Sequence, residues 1–158
     1  MDSSRFPGFV IIAFFVALAG CAASPLEEQK RMEMEADIDD ILSHELDPAE
    51  YGETQSCLRE TEFRSYRPLG KRHLLFEGRQ GRLWVNVLRG RCPGLDANSV
   101  FITRPNLAGR LCELDRFSVV DRFGALPSAD TSRTCVLGEF KPVTEDQVKE
   151  VENRLEMR

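Results

Sequence analysis

The hydrophobic positions of this chain fall into three patterns, each predicting a different kind of element. Phe9 to Ala19 is an unbroken apolar run. At about 1.5 Å per residue a helix of that length reaches about 16 Å, against a hydrocarbon core of about 30 Å. Pro7, Gly8, Gly20 and Pro25 break the longer uncharged stretch around it, so the run reads as the core of an export signal rather than a spanning helix. In the second pattern Met34, Ile38, Ile41 and Leu42 recur at i, i+4, i+7 and i+8, and Leu46 extends them. That spacing is one face of a helix. Ala22 to Gln29 has no such face and reads as tether, while Pro48 and Gly52 interrupt the chain after the helix.

The third pattern is strand-like and fills the middle of the chain. His73–Glu77 and Leu83–Leu88 flank the short connection Gly78-Arg79-Gln80-Gly81, which predicts a hairpin. In its second strand Leu83, Val85 and Val87 share one face, and Trp84, Asn86 and Leu88 the other. Further strands are predicted at Arg59–Arg67, Val100–Thr103, Phe117–Asp121 and Thr134–Leu137, with a turn at Cys92-Pro93-Gly94. A helix closes the chain: Thr144 and Gln147 make a capping box, Val143 staples onto Val148, and Val148, Val151 and Leu155 form its apolar stripe. The expected fold is mainly β (α+β): a small, strongly bent antiparallel sheet or barrel of five to six strands, disulfide-bonded, with an N-terminal acidic helix and a C-terminal packing helix. The expected divisions are a signal peptide over 1–20, tether and acidic helix over 21–56, a β domain over 57–143 and the closing helix over 144–158.

Charge divides the chain in the same places. Residues 22–56 carry a balance of −9, residues 57–138 of +6, and residues 139–158 of −2, within an overall −5. The excess in the middle is arginine: Arg64, Arg67, Arg72, Arg79, Arg82, Arg89 and Arg91 crowd around the hairpin and its flanks. Arginine is favoured over lysine where carboxylate or phosphate is gripped by two parallel hydrogen bonds, so these seven are candidate anion-binding residues. Alternatively they complement the chain's own acidic arm, or are solvated strand ends.

Leu18-Ala19-Gly20-Cys21, directly behind the apolar run, has the pattern of a bacterial lipobox. The lipidated residue would be Cys21, carrying diacylglycerol and palmitate; several acyl chains hold a protein on a membrane where one holds marginally. Ala22, rather than an aspartate, after the cysteine favours the outer membrane, with the body facing the periplasm. An uncleaved membrane helix and ordinary secretory cleavage are the alternatives. Cysteine parity points the same way. Five cysteines are present; lipid would consume Cys21 and leave Cys57, Cys92, Cys112 and Cys135, an even set suited to an oxidising compartment. Of three pairings the nested one is favoured, Cys57–Cys135 across the ends of the strand region and Cys92–Cys112 within it. Each bridge would contribute about 3–4.5 kcal/mol by loop entropy.

Leu75-Phe76-Glu77, Trp84-Val85-Asn86, Cys92-Pro93-Gly94-Leu95, Leu111-Cys112, Asp115-Arg116-Phe117 and the run Cys135 to Val143 carry a resemblance. Over Cys57–Val143 the chain resembles an uncharacterised family of short proteobacterial envelope lipoproteins, a domain of unknown function. The resemblance implies location and architecture and assigns no activity; the acidic arm falls outside it.

Catalytic signatures are weak. No G-x-S-x-G occurs, and His44 and His73 are the only histidines, His44 expected exposed on the arm and His73 at a surface or edge. Oxidised cysteines supply no thiolate. Asp39 and Asp40 are neighbours that point apart on a helix. No C-x-x-C spacing suggests zinc, and no cofactor or metal is expected. Trp84 reads as packing before binding platform. The reading is a non-catalytic accessory or binding module whose partners are the membrane, through its anchor, and an anionic envelope component or envelope protein, with nucleic acid remote. An inhibitor-like or assembly-accessory lipoprotein, marked by an apolar or Arg-rimmed patch, is the first alternative. A small periplasmic hydrolase would need a pocket gathering His73, carboxylates and a nucleophile.

Overall fold

A computed structural model describes residues 24–103, 109–121 and 133–156. The lipobox Leu18–Cys21 and the first tether residues lie outside the described residues. Helix α1 spans Pro25–Ser43, so most of the expected tether is helical instead. The cause is local: the Ser24 side chain accepts from the Glu27 N–H, Pro25 pre-sets the first turn, and Glu27 and Glu28 complement the helix dipole. Ile38, Ile41 and Leu42 are its buried residues. A single turn, α2 (Pro48–Tyr51), follows, capped by Asp47.

The strands are β1 Cys57–Arg59, β2 Phe63–Leu69, β3 His73–Gly78, β4 Leu83–Val87, β5 Ser99–Thr103, β6 Arg110–Cys112, β7 Arg116–Asp121, β8 Arg133–Val136 and β9 Phe140–Val143. The expected single bent sheet or barrel of five to six strands is therefore corrected. Among the described residues there are three antiparallel sheets and no closed barrel: β1–β6, β2–β3–β4–β9 and β5–β7–β8. The strands missed by pattern, β1, β6 and β9, span only three or four residues. They form because distant partners meet them. The two edge strands of the four-stranded sheet carry Pro68 and Pro142, which leave fewer N–H groups open to a further strand.

Both faces of that sheet are covered. Leu75, Val85, Leu69 and Val143 meet Ile38, Ile41 and Leu42 of α1 and Val148 and Val151 of α3 (Glu145–Glu156). The capping box forms as predicted, with Gln147 N–H donating to Thr144 Oγ1 at 3.1 Å and Thr144 N–H to Gln147 Oε1 at 3.0 Å. On the other face Leu74, Phe76, Trp84 and Leu88 pack with Leu58, Phe101, Leu111 and Phe117 of the two smaller sheets. Phe76 is the hub, its ring centroid 5.1 Å from Phe63 and 5.3 Å from Phe140. Trp84 is 3 % exposed, a core residue as read.

Two disulfides are present, one within the β1–β6 sheet and one tying the loop after β4 to β8, and their pairing corrects the nested expectation. Cys57 bonds Cys112, and Cys92 bonds Cys135. Strand β1 pairs with β6 rather than with the last strand, placing Cys57 directly opposite Cys112. The bridges consequently interleave along the chain.

Candidate functional site

Two features of the molecule concern function: the seam between α1 and the body, and the arginine-rich hairpin. At the seam, α1 and α3 run antiparallel. Gln147 Nε2 donates to the Ile41 carbonyl at 3.0 Å, and Arg154 meets Asp37 at 3.1 Å. One turn toward its N-terminus, Glu35 meets Arg72 and Arg91, and Asp39 sits 3.3 Å from Arg72. The acidic residues of the arm thus answer arginines of the body. Partly exposed pairs of this kind contribute about 0–1 kcal/mol each; the apolar stripe beneath them holds the helix down, and the charges set its register.

The seven candidate arginines therefore separate into two groups. Arg72 and Arg91 are engaged by α1, Arg67 lies between Glu77 (3.2 Å) and Glu152 (2.5 Å), and Arg89 pairs with Glu113. The Ser65 hydroxyl donates to Glu77 at 2.7 Å and, with Arg67, holds the Glu77 carboxyl below its usual range. Arg64, Arg79 and Arg82 are exposed, and none has a carboxylate within ion-pair distance among the described residues. The three lie at the same end of the four-stranded sheet. Arg79 and Arg82 flank the β3–β4 turn, where the Gly78 N–H donates to the Arg82 carbonyl at 2.7 Å. Arg64 reaches the Gly78 carbonyl at 3.4 Å from the neighbouring strand. The turn needs its glycines: Gly81 has φ of 77°, and a Cβ on Gly78 would come within 2.4 Å of the Trp84 ring.

His73 overturns its expectation of a surface or edge position. It starts β3, an interior strand, and is 2 % exposed beneath α1. Its Nε2 has no hydrogen-bond partner and lies 3.5 Å from Asp39 Oδ1. Burial pushes its pKa below the ordinary value; the Asp39 carboxylate opposes this only in part, and Arg72 adds to the depression. The unfolded chain accepts a proton near pH 6.5 that the folded chain resists, so His73's contribution is complete above that pH and is lost as pH falls below it. The unfolding free energy from urea titrations is expected to drop between pH 7.5 and 5.5, by at most about 1.4 kcal/mol per pH unit. His73→Leu should flatten that slope, and an unchanged slope would exclude His73 as its source. His44, by contrast, is exposed at the end of α1, as expected.

A cleft of about 330 Å³ opens beside His73, between α1 and the β2–β3 turn. Its lining includes Glu35, Asp96, Lys71, Arg72 and Arg91, but among the described residues no hydroxyl or thiol side chain. Among the described residues, no three His, Cys, Asp or Glu side chains are grouped to hold a metal, and no helix is long and apolar enough to cross a membrane. Pattern reading missed Glu35 and Asp39 as the partners of Arg72 and Arg91. Their i, i+4 spacing beside the Ile38 stripe was the available signal.

No curated protein and no solved structure matches this chain. A family model does, over residues 4–157, and so takes in the acidic arm that the sequence resemblance left outside. On that match, covering nearly its whole length, the chain belongs to a family of unknown function, DUF6491.

Proposed function

We propose that this protein is a proteobacterial envelope lipoprotein, held by acyl chains on Cys21 to the periplasmic face of the outer membrane. Its disulfide-bonded body acts as a non-catalytic accessory or binding module. The observation that carries the reading is the fate of the cysteines. Four of the five are used in two bridges within the body, and the fifth is Cys21, which follows Leu18-Ala19-Gly20. Two bridges suit an oxidising compartment, and the remaining cysteine stands where a lipobox places its acylated residue. The non-catalytic half of the reading draws on His73, whose ring is 2 % exposed at the wall of the cleft beside α1.

Metabolic labelling with a fatty-acid probe tests the anchor. The wild-type chain should take up label and run as a processed band. Cys21→Ala should take up none and accumulate as unprocessed precursor. Label persisting in Cys21→Ala would overturn the reading.

A further inference from the structure

The ends of the four-stranded sheet are chemically different, and α1 fixes which end lies near the anchor. Near the β2–β3 turn, Glu35 of α1 meets Arg72. Toward the opposite end, Ile41 meets Gln147, four residues beyond Val143, which pairs with Leu83 beside the arginine hairpin. Helix α1 therefore runs with its N-terminus away from the hairpin. From Glu35 the helix continues about 15 Å to Pro25, while β3 extends the other way to Arg79, leaving the two ends roughly 30 Å apart. Only Ala22 to Ser24 separate the acylated Cys21 from the helix.

We infer that Arg64, Arg79 and Arg82 form a docking tip that points away from the anchoring membrane and grips carboxylates of the cell-wall polymer. The inference rests on the lipid-anchor reading. A tip facing the anchor's own headgroups would have to lie at the helix N-terminus, and this one lies at the far end. The tip holds Arg79 and Arg82 on the β3–β4 hairpin with Arg64 beside them on β2, none in an ion pair among the described residues, whereas Arg67, Arg72, Arg89 and Arg91 pair with carboxylates of the chain itself. Guanidinium binds carboxylate through two parallel hydrogen bonds, and the stem peptides of peptidoglycan repeat such carboxylates along a polymer. The chain as a whole carries −5, so attraction to a polyanion has to come from a local patch.

Pelleting of the full acylated chain with purified sacculi, in mild detergent, tests this. The variants are Arg64→Gln/Arg79→Gln/Arg82→Gln and a charge-matched control, Arg59→Gln/Arg89→Gln/Arg116→Gln. The tip triple should bind about tenfold more weakly while the control binds like wild type, and wild-type binding should fall between about 50 mM and about 500 mM salt as the screening length shortens. Retained two-bridge mass in each variant confirms folding. Equal loss in both triples, no loss in either, or binding to phosphatidylglycerol vesicles in preference to sacculi would overturn the tip assignment. The anchor is read separately by acyl labelling: tip-dependent pelleting of an unlabelled chain would sink the membrane reading and leave the tip standing.

Discussion

Cys92→Ala/Cys135→Ala is expected to destabilise the fold by about 3–5 kcal/mol. Both sulfurs are buried in the core between the four-stranded and three-stranded sheets, where the bridge ties the loop after β4 to β8. Its closed loop, with a sequence separation of 43, restricts the unfolded chain by about 4 kcal/mol on the entropic account. The lost contacts of two buried sulfurs add to that. Urea unfolding of the wild type and the double variant under non-reducing conditions gives the difference; a loss below about 1 kcal/mol would mean the bridge is not a principal link between the layers. The interleaved pairing has its own signature. Cys57→Ala/Cys112→Ala should keep one intact bridge and no free body thiol, because it removes a bonded pair. Cys57→Ala/Cys135→Ala removes one partner from each bridge and should expose two alkylatable thiols. A nested framework would give the opposite result for the second variant.

The contrast between those variants shows where sequence reading stops. The two long helices were legible because their signals are local: an apolar stripe in each, and the Thr144/Gln147 box ahead of α3. The β3–β4 hairpin was legible because two glycines in a short polar connection force a turn between apolar runs. Disulfide pairing was not, since it depends on β1 finding β6 across some fifty residues of sequence. Nor was the burial of His73. Leu74, Leu75 and Phe76 form a continuous apolar run, so no alternation marks which face His73 takes, and its cover comes from a helix more than thirty residues earlier. The arginines were visible as a crowd. Sorting them into engaged and available groups needed the positions of Glu35, Asp39, Glu113 and Glu152, all from other elements. The tether is shorter than the apolar pattern implies, because the helix start is marked by a cap, Ser24 followed by Pro25, and not by an apolar face.

The second large effect is expected at Asn86, a residue 0 % exposed in the middle of β4. Its side chain closes a two-bond ring with the backbone of Gly138: Asn86 Nδ2 donates to the Gly138 carbonyl at 2.6 Å, and the Gly138 N–H donates to Asn86 Oδ1 at 2.9 Å. Gly138 lies in the connection from β8 to β9, so the ring fastens the chain leaving the three-stranded sheet to β4, an interior strand of the four-stranded sheet. Asn86→Ala leaves both backbone groups of Gly138 without their partner, about 1–3 kcal/mol for each buried group; a total loss of about 2–5 kcal/mol is expected. Asn86→Asp keeps the acceptor and loses the donor while burying a charge, so it should not rescue. Gly138→Ala should be as damaging for a steric reason, because its Cβ would fall 2.1 Å from the Val87 carbonyl oxygen. That oxygen belongs to the backbone of β4 and cannot swing aside, so the β8–β9 connection must move and the ring must open. Since either change breaks the same ring, Asn86→Ala and Gly138→Ala together should cost clearly less than the sum of the two. Full additivity in urea unfolding would show that the two residues act independently. Sub-additivity would instead identify this ring as the clasp that closes β9 onto β4, and with it the sheet that carries the arginine hairpin.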